Sequence, residues 1–128
     1  MTVDDLVLTP SGLRFAGRRF ACSIGRGGVV ADKREGDGGT PVGVHRIVGM
    51  MYRPDRMARP APWAQAIRPG DLLSDATGEP EYNILVSKPY ALSHEVMQRG
   101  DPLSYLVLIT DWNCPDAIPG RGSCIFLH

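Results

Sequence analysis

A net charge is the first thing that this sequence lacks. Its 14 lysine and arginine residues are balanced by 14 aspartate and glutamate residues, which gives a formal net charge of +0 at pH 7. Proteins that hold nucleic acid or an anionic bilayer by electrostatics need a surplus of basic residues. We therefore expect neither nucleic acid nor a membrane surface among the partners of this chain.

Long apolar runs are also missing. No segment approaches the roughly 20 consecutive apolar residues that a membrane-spanning helix needs. The first ten residues, MTVDDLVLTP, include two aspartates, and they lack the apolar core of about seven residues that a secretory signal requires. The sequence therefore predicts no membrane span and supplies no export signal, and it leaves the localisation open.

Cysteine is scarce, with Cys22, Cys114 and Cys124 as the three examples. An odd number in a chain without a secretory signal argues against a disulfide framework and predicts at least one free thiol. A free thiol is more often a small buried hydrophobe than a nucleophile. The cysteines and the three histidines show no zinc-ligand spacing, and no glycine-rich segment matches a nucleotide-binding loop. We expect no metal and no cofactor.

Glycine and proline, in contrast, are plentiful, with 15 and 11 residues. Both are typical of turns and disfavour helix interiors. Apolar and β-branched residues between the turns predict short strands, and two short helices are predicted at 63–67 and 93–97, the second with Ser93 as its N-cap. Residues 71–82 are predicted to be a loop. A single, mainly β domain with short helices is expected over residues 1–128. The predicted strands are 6–8, 13–24, 44–51, 82–86, 103–110 and 123–128.

Three segments carry a resemblance to a known family. The first is KREGDGGTPVG at 33–43, which His45-Arg46-Ile47 follows closely. The second is Ser93-His94-Glu95, ahead of an apolar strand and Asn113. The third is GRGSCIFLH at 120–128. Over about residues 20–128, the chain resembles the YkuD-like L,D-transpeptidases, which cross-link peptidoglycan.

This resemblance implies a fold, a reaction and a partner. The fold would be a β-sandwich or mixed sheet, and the reaction would be cysteine acyl transfer on a peptidoglycan stem peptide. A thiolate attacks the carbonyl, a histidine takes the thiol proton, and backbone N–H groups stabilise the oxyanion. Carbapenem β-lactams would be inhibitors, because they mimic the acyl donor. The family's chemistry takes place in the periplasm or cell envelope.

The resemblance also assigns site residues. His128, the last residue of the third segment, corresponds to the family's catalytic base. Thr40, Pro41, Gly43, Arg53 and Ser123 would line the substrate groove. For Arg53, an ion cluster with Asp55 and Arg56 on the protein surface is the alternative that the residue types favour slightly.

The nucleophile is less clear. The family's (S/T)-x-G-C motif follows the histidine and does not occur in this sequence. On this mapping the chain would be a fragment, a cleaved product or a decayed copy, with marginal stability or a need to associate with another chain. Cys124 is the alternative nucleophile. In a strand it would lie ~13 Å from His128 at ~3.3 Å per residue, so His94 would have to be its base.

Two further functions compete with catalysis. One is a non-catalytic relative that binds peptidoglycan peptides, or an inactive remnant, in which the same groove would hold the peptide without a reactive thiol. The other is a small β-domain whose likeness to the family is accidental. A thiol that forms a covalent adduct with an acyl donor distinguishes the enzyme from both.

Overall fold

The computed structural model describes residues 2, 4–99, 105–114, 116–123 and 125–128. Within them the chain forms twelve short strands and no helix, and the strands make four sheets that do not close on themselves. In chain order the strands are β1 (Val7–Thr9), β2 (Gly12–Phe15), β3 (Arg18–Phe20), β4 (Val29–Val30), β5 (Thr40–Pro41), β6 (Ile47–Tyr52), β7 (Gln65–Ala66), β8 (Asp71–Ser74), β9 (Leu85–Ser87), β10 (His94–Val96), β11 (Leu106–Thr110) and β12 (Phe126–Leu127).

The N-terminal strands β1, β2 and β3 form an antiparallel meander, in which Leu13 pairs with Leu8 on one side and with Phe20 on the other. The Thr9 hydroxyl closes the first turn by donating to the Gly12 carbonyl over 2.7 Å. Gly12 has a φ of +133°, and a Cβ there would lie 2.5 Å from the Phe20 carbonyl oxygen. The meander therefore requires glycine at this turn.

The largest sheet has the strand order β12-β11-β6-β7. Strand β11 is antiparallel to both of its neighbours, whereas β7 runs parallel to β6. The strand predicted at 103–110 is confirmed over Leu106–Thr110 as β11, and residues 103 and 104 lie outside the described residues. Val107 in this strand is 1 % exposed. Strand β12, which precedes His128, pairs with β11 through only two residues, Phe126 and Leu127.

The core joins this sheet to the antiparallel sheet β10-β8-β9. Side chains from both sheets and from the adjoining loops meet in one buried apolar cluster, which removes their surface from water and stabilises the fold. The cluster contains Met51, Ile67, Leu73, Met97 and Val107, with Ile109 and Phe126 packed against it.

The prediction of mainly β structure is confirmed, and the prediction of short helices is wrong. Residues 93–97 contain β10, in which Glu95 pairs with Leu73. Residues 63–67 make a turn, closed by Ala64 N donating to Ala61 O over 3.0 Å, and then enter β7. A single helical turn is costly to nucleate, and pairing with an existing strand gives these backbones better hydrogen bonds.

The loop predicted at 71–82 is also partly wrong. Its first four residues form β8, the central strand of the second sheet, and Leu72 and Leu73 are buried there. The flanking glycine and aspartate are typical of a turn, but burial on both faces outweighed their preference.

Among the described residues, no helix is long and apolar enough to cross a bilayer.

Val107 and Val44 offer a matched test of where the core lies. Val107→Ala is expected to lower the free energy of unfolding by about 2 kcal/mol, because it removes buried methyl groups and leaves a cavity. Val44 is 87 % exposed and lies outside the strands, so Val44→Ala should cost less than about 0.5 kcal/mol. Urea denaturation measures both, and equal losses would contradict this placement of the core.

Candidate active site

The first and third segments of the resemblance lie side by side. The Glu35 backbone N–H donates to the Gly120 carbonyl over 2.8 Å. The Ser123 hydroxyl donates to Glu35 Oε1 over 2.6 Å, although the two residues are 88 positions apart in the sequence. Residues 33–43 and 120–123 are therefore joined through both the backbone and the side chain of Glu35.

Tyr82 completes this junction. Its hydroxyl donates to Glu35 Oε1 over 2.9 Å and accepts from the Gly122 N–H over 2.9 Å. The Tyr82 side chain is 2 % exposed. Burial raises the pKa of Tyr82 to about 12, and the Glu35 carboxylate adds to this because it accepts the phenol proton. The phenol thus keeps its proton and bridges Glu35 to the 120–123 loop.

Lys33 is buried at the start of the first segment and bonds to two other residues of it. Its ammonium donates to Asp37 Oδ1 and to the Arg34 carbonyl, each over 2.6 Å, and the residue is 3 % exposed. The hydrogen bond from Lys33, helped by the backbone N–H groups of Arg34 and Gly39, lowers the pKa of Asp37 to about 2. Gly122 packs over this lysine, and a Cβ there would lie 3.2 Å from Lys33 Cγ.

The predicted groove residues Thr40, Pro41 and Gly43 follow in the same segment. Strand β5 pairs in parallel with β4, and the Thr40 N–H donates to the Gly28 carbonyl over 2.8 Å. His45 Nε2 lies 3.1 Å from the Pro41 carbonyl, which can only accept, so this nitrogen carries the hydrogen. Thr40 is half-buried, Pro41 is buried, and Gly43 is exposed.

Trp112 and Asn113 hold the loop that leads to Ser123. The Trp112 indole N–H donates to the Arg121 carbonyl over 3.0 Å, and its ring meets the His45 ring edge-on at 5.7 Å. The Asn113 amide donates to the carbonyls of Ile118 and Gly122, each over 3.0 Å. Asn113 has a φ of +53°, a conformation that asparagine tolerates better than most residues.

His128 is exposed and lies directly after β12 in the largest sheet. Cys124 lies outside the described residues, so the separation predicted between the two stays untested. The strand on which that prediction relied is shorter than expected, since it covers Phe126–Leu127 rather than 123–128.

His94, the other predicted base, belongs to the other sheet. It is half-buried on β10, where it pairs with Ser74. Its Nδ1 lies 2.7 Å from the Leu92 carbonyl, so Nδ1 carries the hydrogen and Nε2 of the neutral ring keeps its lone pair. The Tyr90 ring packs edge-on against it at 6.0 Å. The pairing of His94 with Cys124 remains a prediction, because Cys124 lies outside the described residues.

Arg53 is buried rather than open to a groove. Its guanidinium forms a two-point contact with the Asp55 carboxylate, at 2.8 and 2.7 Å, and donates to the Arg99 carbonyl over 2.6 Å. Arg56 lies 3.5 Å from the same carboxylate. The ion cluster that the residue types favoured is therefore present, with Arg53 as its buried member. A substrate contact by Arg53 would have to compete with these bonds.

The similarity of this chain to known proteins is evident at the level of the family. The model of the L,D-transpeptidase catalytic domain, YkuD, matches residues 8–128. The chain belongs to the YkuD L,D-transpeptidase family. The resemblance stated on three segments is confirmed, and the match extends further towards the N-terminus, through the β1–β3 meander. No curated protein and no solved structure gave a significant match.

A cavity of about 180 Å³ opens between the sheets β12-β11-β6-β7 and β10-β8-β9. Its walls are mainly apolar and include Leu73, Met97, Ile109, Phe126 and Trp112. Cys114 also lines it, and both Cys114 and Cys22 are exposed free thiols. A free thiol was predicted, and this is confirmed, but the preference for a buried position is wrong for these two residues.

Sequence reasoning missed Lys33, Glu35 and Tyr82 as parts of this site. Lys33 and Glu35 lie within the segment that carries the resemblance, yet a solvated polar loop explains their residue types equally well. The sequence pattern predicts Tyr82 to begin a strand. The roles of Glu35 and Tyr82 depend on partners 40 or more positions away, such as Gly122 for Tyr82, and no local pattern shows such pairs. Lys33 bonds within its own segment, to Arg34 and Asp37. Within the described residues, no group of three metal-ligating side chains comes together.

The bonds of Asp37 predict an acid-sensitive stability. Its pKa is about 2 in the folded protein and 3.8 ordinarily, so its stabilisation is complete above about pH 4 and is lost as the pH falls towards 2. Urea midpoints measured across this range should drop more steeply for the wild type than for Asp37→Asn. Parallel profiles for the two proteins would show that Asp37 contributes no acid sensitivity.

Tyr82 predicts the opposite sensitivity, at alkaline pH. Because the folded pKa is about 12 against an ordinary 10.0, stability should fall as the pH rises beyond about 10. The ultraviolet phenolate absorbance of wild type minus Tyr82→Phe should show one phenol that ionises near 12, with circular dichroism reporting that the fold persists. A difference spectrum that titrates near 10 would contradict a buried, bonded phenol.

Proposed function

We propose that this chain is the catalytic part of a cysteine acyl transferase of the L,D-transpeptidase type that acts on peptidoglycan stem peptides. The observation that carries the proposal is the family match over residues 8–128, which includes the His128 segment. The junction of the two motif segments at Glu35 supports it, because a shared site requires that these distant segments meet. His128 is the proposed general base.

In the proposed reaction, the base takes the thiol proton and the thiolate sulfur attacks the carbonyl carbon of the stem peptide. The tetrahedral intermediate collapses, the C–N bond breaks, and the terminal D-residue leaves as an amine after it receives the proton from the imidazolium. The acyl group stays on sulfur as a thioester. An amine of a second stem then attacks this thioester, loses a proton to the base, and releases the thiol.

Cys124 is the proposed nucleophile within this sequence, because it belongs to the motif segment that ends at His128. If His128 cannot reach it, His94 is the alternative base, through the lone pair of its Nε2. Thr40 and Gly43 are proposed to contact the peptide, since they are at least partly exposed beside the junction. Pro41 and Ser123 are buried, and Ser123 already bonds to Glu35, so their proposed contribution is to shape the groove.

A carbapenem provides the direct test. Intact mass is measured after incubation of wild type, Cys124→Ala, Cys22→Ala and Cys114→Ala. We expect one covalent adduct on the wild type, its loss in Cys124→Ala, and its retention in the other two variants, whose thiols are exposed. His128→Gln should slow formation of the adduct by roughly 10²-fold or more if it is the base. A slowing confined to His94→Gln would identify His94 instead.

The competing function is a non-catalytic module that binds peptidoglycan peptides in the same groove without a reactive thiol. Binding of a stem tetrapeptide, followed by the imidazole signals of the three histidines in NMR spectra, separates the two. Peptide binding without any carbapenem adduct would contradict the proposed acyl transferase and support the non-catalytic binding module. Neither binding nor adduct would overturn both functions.

A further inference from the structure

The Glu35 carboxylate holds the 120–123 loop together with the side chains of Trp112 and Asn113, which donate to the carbonyls of Arg121 and Gly122. Glu35 Oε1 accepts the hydroxyl hydrogens of both Ser123, at 2.6 Å, and Tyr82, at 2.9 Å. The Tyr82 oxygen in turn accepts the Gly122 N–H. The hydroxyls of Ser123 and Tyr82 thus bond directly to one oxygen of Glu35. The Gly122 amide is connected to the same oxygen through the Tyr82 hydroxyl.

Burial makes these bonds strong. Tyr82 is 2 % exposed and Ser123 is 8 % exposed, so water competes little for either hydroxyl. Hydrogen bonds to an ionised acceptor are stronger than those between neutral groups, and each member of a chain of hydrogen bonds polarises the next. Removal of the carboxylate would leave two buried hydroxyls without their acceptor, which costs more than the loss of an exposed contact.

The loop that bears Glu35 is itself held rigidly. Asp37 Oδ2 and Oδ1 accept from the backbone N–H groups of Arg34 and Gly39, at 2.9 and 2.7 Å, while Lys33 bonds to the same carboxylate. The backbone of Glu35 also donates to Gly120. Glu35 therefore lies in a turn that several hydrogen bonds hold in place.

The strand that follows is held weakly by comparison. Among the described residues, β12 pairs with β11 through two residues, and one further bond runs from the Thr110 hydroxyl to the Ile125 carbonyl over 2.7 Å. His128 comes immediately after this short edge strand. Ser123 lies three positions before β12 and five positions before His128.

We propose that Glu35 is a positioning residue that holds the 120–123 loop through Tyr82 and Ser123 and thereby sets the position of His128. The anchoring of the loop is independent of any activity. The claim that the position of His128 matters for a reaction rests on the proposed function. Nothing in this role requires Glu35 to touch a substrate.

Amide hydrogen exchange and the NMR spectrum of His128 test this role in the whole chain. Glu35→Ala should speed exchange at Gly122 and Ser123 by roughly tenfold to hundredfold, and should shift the His128 imidazole signals. Glu35→Gln keeps an acceptor oxygen without the charge and should restore part of both effects. Glu79→Gln is the matched control, because Glu79 is exposed, and it should change neither.

Tyr82→Phe and Ser123→Ala each remove one donor and keep the proposal testable should Glu35→Ala not fold. Acceleration confined to the 120–123 loop together with a shift of His128, partly rescued by glutamine, supports the proposal. Uniform acceleration that extends to β6 and β11 would make Glu35 a contributor to global stability only and would overturn it. Local acceleration without a His128 shift would also overturn the positioning role.

The carbapenem adduct is followed separately in the same variants. A wild type that forms no adduct would count against the proposed function, while the exchange and NMR results would still decide the role of Glu35. A wild type that does form the adduct, with a rate lowered in Glu35→Ala and partly restored in Glu35→Gln, would connect the anchor to the reaction. An unchanged rate in Glu35→Ala would overturn that connection.

Discussion

The hydrogen bonds that Glu35 accepts from Tyr82 and Ser123 join three parts of the chain that are far apart in sequence. Without them, the loop before β12 would be held by backbone contacts and by the side chains of Trp112 and Asn113. A carboxylate suits this task because one oxygen can accept two hydrogen bonds, and its charge strengthens both. The buried phenol of Tyr82 also accepts the hydrogen bond of the Gly122 amide. A polar cluster therefore holds the 120–123 loop in place, although this loop contains no strand.

The apolar core acts on a different part of the molecule. Met51, Leu73 and Val107 hold the two larger sheets together, whereas the junction at Glu35 arranges loops at their margin. This separation is typical of enzymes, in which regular structure supplies rigidity and loops carry the chemistry. Many apolar sequences could fill such a core, whereas the polar contacts at Glu35 require particular side chains.

Agreement between sequence and structure was best where the local pattern carried the information. The apolar, β-branched run that contains β11 predicted its strand, because such a preference depends on neighbours in sequence. Residues 93–97 and 71–74 were misassigned, because their preferences were weak and pairing between β8 and β10 decided the outcome. The site showed the same division. His128 and the 33–43 segment were found by resemblance, whereas Tyr82 acquires its role from Glu35 and Gly122.

The sequence by itself determined the mainly β composition, the family, and the residue types available for acyl transfer, since these follow from local propensity and from short motifs. Only the tertiary structure decided that Arg53 is buried against Asp55, that His94 lies in the sheet β10-β8-β9 while His128 follows β12 of another sheet, and that Lys33 packs against Gly122. It also decided that Glu35 bonds to residues 47 and 88 positions away. Such contacts are selected by the burial of side chains from distant segments, and that burial exists only once the whole chain has folded.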